Sequence, residues 1–222
     1  MVNPMVRPTL HSVGSFFGTA FSGRYRWLMW ALIALLIGSP FLSHLPFYRG
    51  EQLGLYVGDL VTGAVYFIAI RTYHRHPTQF WLLLLLGVAS VAAGFVARVV
   101  PSATALLTVI SLGCTGAMLL SIALLISLQV FTAAEVDGDT ICGSVSIYLL
   151  LAGCFASIYS LIAVVSPTAF ELSPHVSLDD PTLGPDRLLV YFSFVTLTTV
   201  GYGDVVPGND LTRPLSNLQA VI

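Results

Sequence analysis

The chain has 222 residues, of which 56% are hydrophobic and 9% charged, with a formal net charge of −2 at pH 7. An average soluble domain carries roughly 25% charged residues. A surface built from so few charges would be largely apolar and self-associating, which excludes an ordinary soluble domain and points to an integral membrane protein. The near-zero net charge also gives no electrostatic footprint for nucleic acid.

Gaps between charges mark the spans, each read against about 20 apolar residues per crossing. Residues 1–26 form a polar tail with Arg7, Arg24 and Arg26. The first apolar run, Trp27–Leu42, is long for a signal-peptide core and lacks a small-residue cleavage site, so it reads as a retained helix. A second run covers Leu53–Ile70, interrupted by Asp59, and a third Phe80–Ala97. No charged residue lies between Arg98 and Glu135, so Pro101-Ser102 is the turn before a fourth helix at Ala103–Phe131. The fifth is Ile141–Val165. Arginine concentrates in the tail and, as Arg71 and Arg75, in the loop between the second and third helices; the first loop has only Arg49. That bias places the N-terminus in the cytoplasm and residues 166–186, rich in proline and acid, outside.

Few of the polar residues suggest chemistry. Cys114, Cys142 and Cys154 lack metal-ligand spacing and read as small packing residues. His74-Arg75-His76 reads as a basic solvated loop in preference to a metal or pH-sensing cluster. There is no Ser-His-Asp arrangement, no paired catalytic carboxylates and no HExxH helix, so the chain reads as a non-enzyme without a cofactor. Asp59 and Arg98 fall at similar depth in the outer leaflet on adjacent antiparallel helices, which predicts an intramembrane ion pair between them, in preference to an ion or ligand site.

After Asp186 the chain is apolar again as LLVYFSFVTLTT and then reads VGYGDVVP. The apolar part would be a helix of about 17 Å, too short to cross a bilayer, with Asp186 as its N-cap. A short helix followed by glycine-rich backbone is the pattern of a re-entrant loop, which is tolerated at membrane depth only where protein buries it or it lines a water-filled path.

The string Thr198-Thr199-Val200-Gly201-Tyr202-Gly203-Asp204, preceded by that short helix and by a helix of spanning length and followed by Pro207, resembles the pore signature of bacterial potassium channels. The resemblance implies a homotetramer in the bacterial plasma membrane that conducts K⁺ passively. It implies K⁺ binding by Thr199, Val200, Gly201, Tyr202 and Gly203: carbonyls of the first four form stacked rings, the Thr199 hydroxyl adds the innermost one, and the two glycines supply the positive φ that lets successive carbonyls face one axis. Val200 and the Tyr202 ring point away from that axis. Filter support falls to Thr198, to Asp204, whose partner is the Tyr191 hydroxyl, and to Tyr191-Phe192, which stand where the family often has two tryptophans. Val195 stands where some members have a glutamate. The pore-helix C-terminus aims partial negative charge at the ion.

The implied fold is all-α and membrane-integral. Residues 27–133 form a four-helix block that resembles a voltage sensor. Its fourth helix carries no charge, so gating by arginines on that helix is excluded. Residues 141–222 form the pore domain: outer helix 141–165, outer loop 166–186, pore helix 187–198, filter 199–204 and the start of an inner helix at 212–222. That last piece is half a span, so the inner helix reads as incomplete and the chain as truncated after the filter. Two functions follow: a K⁺-selective channel subunit, or a truncated, non-conducting or regulatory subunit that assembles with longer ones.

Overall fold

The computed structural model describes residues 23–44, 77–100, 103–173 and 185–222, with Gly63 alone between the first two stretches. The second predicted span at 53–70 (Gly63 apart), the His74-Arg75-His76 loop and the Asp59 half of the predicted ion pair lie outside the described residues. The elements are α1 (Arg24–His44), α2 (Pro77–Val99), α3 (Thr104–Phe131), α4 (Gly138–Val165), β1 (Phe170–Leu172), α5 (Pro185–Leu197), β2 (Val205–Pro207) and α6 (Thr212–Val221). Among the described residues, α2, α3 and α4 are long and apolar enough to cross a membrane. Their outward residues, such as Trp81, Leu85, Leu128 and Phe131, are large, apolar and exposed, as lipid contact requires. The chain is a multi-pass membrane protein.

Small residues and hydroxyls join the long helices. Between α2 and α3 the Ser111 hydroxyl donates to the Ser90 carbonyl at 2.9 Å, and the Ser90 and Thr115 hydroxyls share a hydrogen bond at 2.6 Å. Between α3 and α4, Gly116 lets the backbones approach, and the Cys154 thiol donates weakly to its carbonyl at 3.6 Å. Close approach through small residues is how helices associate where no hydrophobic drive exists between them. The Leu28, Leu83, Met118, Ile122, Ile126 and Leu150 side chains fill a core shared by α1, α2, α3 and α4.

The first turn of α4 lies ahead of its apolar run, which is why hydropathy alone starts the helix three residues late. Asp137 caps it: Oδ1 accepts from the Thr140 N–H at 2.8 Å and from the Thr140 hydroxyl at 2.6 Å. Asp139 Oδ1 accepts from the Tyr25 N–H at 3.0 Å, and the Tyr25 hydroxyl donates to Gln129 Oε1. The start of α1 is thereby tied to the start of α4 and the end of α3.

A second core surrounds α5. Tyr159 of α4, Phe170 of β1 and Phe192 of α5 meet edge to face, with centroid separations of 5.6, 5.1 and 5.3 Å. Phe155, Leu188, Leu189 and Val205 complete it. β1 and β2 pair antiparallel in the register Phe170↔Pro207, Glu171↔Val206 and Leu172↔Val205. These two strands are absent from the all-α reading of the sequence. Three-residue strands carry no legible alternation, and their pairing is dictated by the second core. Gly208 follows directly: a Cβ there would sit 2.9 Å from the Thr168 carbonyl oxygen, so only glycine lets this turn close.

The Thr140 hydroxyl and N–H hold the Asp137 carboxyl below its ordinary value of 3.8. A group whose pKa is depressed in the folded state stabilises above its unfolded value and ceases to as pH falls through the folded one. Asp137→Ala is therefore expected to lower the thermal midpoint at pH 7, with the gap to wild type closing as pH drops below that range. Melting curves of both proteins against pH check this.

Candidate functional site

Helix α5 is 13 residues long, about 20 Å, and begins at Pro185, where a missing N–H costs nothing. Asp186, expected from sequence just ahead of the helix, therefore lies inside its first turn. The helix is two-faced. Leu188, Leu189, Phe192 and Ser193 are buried toward the second core, while Tyr191, Val195 and Thr198 serve the loop that follows.

A helix leaves its last four carbonyls without intrahelical partners. Here each one is taken. The Phe194 carbonyl accepts from the Thr198 N–H at 2.9 Å, and the Thr196 carbonyl from the Thr199 N–H at 3.0 Å. The Val195 carbonyl accepts from Val200 at 3.0 Å and from Gly201 at 3.4 Å. The Leu197 carbonyl accepts from the Tyr148 hydroxyl of α4 at 3.1 Å. The loop's own N–H groups thus hang it from the end of the helix that precedes it. What the helix end offers an ion is the field of its aligned peptides, not a free carbonyl.

The helix stops because Thr199 turns to φ +57°. Gly201 and Gly203 follow at φ +55° and +77°. Glycine takes such angles freely, and among the described residues nothing beyond the chain neighbours lies within 4 Å of where a Cβ would stand on either one, so their requirement is conformational. Thr199 has no such freedom. A β-branched residue in this region is strained by roughly 1–2 kcal/mol, and nothing in its residue type announces it. Positive φ falls on every second residue, 199, 201 and 203, with Val200 and Tyr202 between them outside that region. In an ordinary strand successive carbonyls point to opposite sides; alternating the sign of φ rotates every second peptide and permits them to face the same way.

The outer end of the loop is fastened at Asp204. Its Oδ2 accepts from the Tyr191 hydroxyl at 2.6 Å, the contact expected from sequence, and its Oδ1 accepts from the Val205 N–H at 3.0 Å. Its carbonyl accepts from the Ser173 N–H at 2.9 Å, just past β1. Rings of Tyr191 and Tyr202 stack in parallel, 6.4 Å apart and 2° from coplanar. Beyond β2, Asn209 Oδ1 accepts from the Thr212 N–H at 2.8 Å, and the Thr212 hydroxyl donates to the Ala169 carbonyl at 3.0 Å, fixing where α6 starts.

The structure thus brings Tyr191, Thr198 and Asp204 together with the 199–203 loop. Thr198 donates its hydroxyl back to the Phe194 carbonyl at 2.7 Å. Phe192 goes elsewhere: its ring packs on Tyr159 and Phe170, behind the helix, so it supports the core that carries α5 and not the loop itself. Adjacent helix positions point about 100° apart, which separates the Tyr191-Phe192 pair. Tyr202 is 70% exposed and Val200 52% exposed on this single chain. Sequence reasoning missed Tyr148, Tyr159, Ser193 and Gln219. Tyr148, Tyr159 and Ser193 sit in apolar runs, where a hydropathy reading treats tyrosine and serine as interruptions, and Gln219 sits in the mixed segment Leu211–Ile222, where one more polar residue carries no signal. The oxygen donors that the loop could present to a cation are backbone carbonyls and the Thr199 hydroxyl; among the described residues no group of three His, Cys, Asp or Glu side chains could hold a metal.

In comparison with protein families, the one described as "Ion channel" matches residues 188–222, from the second turn of α5 through the loop to α6. Comparison with curated proteins and with solved structures finds no match.

If the Tyr191 hydroxyl and the Asp204 carboxylate act as a pair, Tyr191→Phe and Asp204→Asn are not additive in thermal stability. A double-mutant cycle is expected to give a coupling of about 1 kcal/mol; additive single effects would show that the contact contributes nothing.

Proposed function

We propose that this chain, whose residues 188–222 match the family described as "Ion channel", is a subunit of a potassium-selective channel, four copies of which surround one axial pore. The observation that carries the reading is the sequence Thr199-Val200-Gly201-Tyr202-Gly203 held in backbone of alternating φ sign at the end of a short re-entrant helix. In this reading the carbonyls of Thr199, Val200, Gly201 and Tyr202, with the Thr199 hydroxyl innermost, replace the hydration shell of K⁺ in successive rings. The strain at Thr199 supports it, since unfavourable backbone angles persist where the surroundings impose them and tend to mark functional segments. So does the exposure of Val200, Tyr202 and Leu211, which neighbouring copies would cover.

Conduction is passive. The 199–203 loop carries no side-chain charge, so selection rests on carbonyl dipoles, and ions move along the row by mutual displacement. The uncharged α3 offers no gating charge, and the proposal includes no voltage sensing by arginines on that helix. Arginine distribution favours a plasma-membrane orientation with the N-terminal tail in the cytoplasm.

The test is flux. Purified protein in liposomes under a K⁺ gradient is expected to polarise the membrane with K⁺ and not with an equal Na⁺ gradient. Gly201→Ala, which puts a Cβ at φ +55°, is expected to abolish that flux at unchanged protein incorporation. Equal Na⁺ and K⁺ flux, or an unaffected Gly201→Ala protein, would contradict the reading.

A further inference from the structure

We propose that Gln219 is a positioning residue for ion selection: its side-chain amide fixes α5, and through α5 the filter, against α4 and α6. The inference rests on the potassium-channel reading above. Gln219, Ser193 and Tyr159 come from three different elements, and all three are at 0% exposure. Gln219 Nε2 donates to the Ser193 carbonyl at 3.0 Å and to the Ser193 hydroxyl at 2.7 Å. Gln219 Oε1 accepts from the Tyr159 hydroxyl at 2.7 Å. The Ser193 hydroxyl donates onward to the Ala152 carbonyl of α4 at 2.7 Å. Both amide protons of Gln219, its oxygen and the Ser193 hydroxyl are therefore all used.

A glutamine buried in an apolar setting is costly unless fully bonded, and a leucine or methionine would fill the same space without that demand. What the amide adds is direction. The apolar contacts of Leu188, Leu189 and Phe192 hold α5 against the core but tolerate small slides and rotations. The bonds from Gln219 do not, because hydrogen bonds weaken steeply with misalignment. The carbonyl that Gln219 grips immediately precedes the Phe194, Val195 and Thr196 carbonyls, from which the loop hangs through Thr198, Thr199, Val200 and Gly201. A shift of that turn is transmitted to the rings directly. The latch stands on the opposite side of α5 from the Tyr191–Asp204 bond, so the helix is pinned behind and in front.

The experiment compares wild type, Gln219→Met and Tyr159→Phe as reconstituted channels, reading the K⁺ to Na⁺ permeability ratio from reversal potentials of protein shown by size to be tetrameric. Gln219→Met is expected to lower the ratio about tenfold and Tyr159→Phe, which removes one of the latch bonds, about threefold. A wild-type ratio in assembled Gln219→Met overturns the proposal. Should that variant fail to assemble, Tyr159→Phe decides, since it removes a single hydroxyl: a lowered ratio supports the latch and a wild-type ratio overturns it. A wild-type protein that passes Na⁺ as readily as K⁺ overturns the channel reading itself, and the positioning role with it.

Discussion

Backbone that leaves a helix inside an apolar slab has no water to turn to, and every N–H and C=O must be answered by protein or by what passes through it. That constraint organises the second half of this chain. The loop after α5 answers it at the inner end by giving its N–H groups to the Phe194, Val195 and Thr196 carbonyls, and at the outer end through Asp204, which engages Tyr191, Val205 and Ser173. Among the described residues, the carbonyls from Thr199 to Tyr202 are the row that has no backbone N–H partner. In the proposed assembly the ion itself answers them.

Helix α4 is the fixed part against which this is built. Tyr148 closes the last carbonyl of α5, Ala152 receives the Ser193 hydroxyl, and Tyr159 stands at the centre of the aromatic trio and bonds Gln219. Its start is fastened separately, by the Asp137 cap and by the Asp139 bond to Tyr25. On the other side α4 packs along α3 through Gly116, Cys154 and Ser157. Among the described residues α1 and α3 pack on α4, and α4 in turn carries α5, with hydroxyl and small-residue contacts along the way.

Much of this was legible because hydropathy and motif are strong signals in a membrane chain. The extents of α2 and α3 follow to within three residues from their apolar runs, α2 reaching past Arg98 to Val99 and back to Pro77. The string from Thr198 to Asp204, through the resemblance it carries, led to a short helix ending in a glycine-rich loop and to the contact of Asp204 with Tyr191 seven residues ahead of the string. The illegible parts share one cause. Tyr148, Ser193 and Gln219 act through hydrogen bonds across elements far apart in sequence, and no local pattern encodes a partner 26 or 49 residues away. The positive φ of Thr199 was hidden because residue type argues against it; tertiary context imposes it. The strands Phe170–Leu172 and Val205–Pro207 were too short to show alternation, and the short helix starts at Pro185, one residue before Asp186.

In the proposed assembly, four copies of the Thr199–Tyr202 backbone form stacked oxygen rings occupied by K⁺. Anomalous scattering from crystals of the assembled protein grown in Rb⁺ or Tl⁺ tests it directly. A row of peaks is expected on a fourfold axis, spaced about 3.3 Å apart, the rise of one extended residue, each ringed by carbonyls of Thr199, Val200, Gly201 and Tyr202. Density confined to the surface carboxylates, or an assembly without a fourfold axis through this loop, would contradict it.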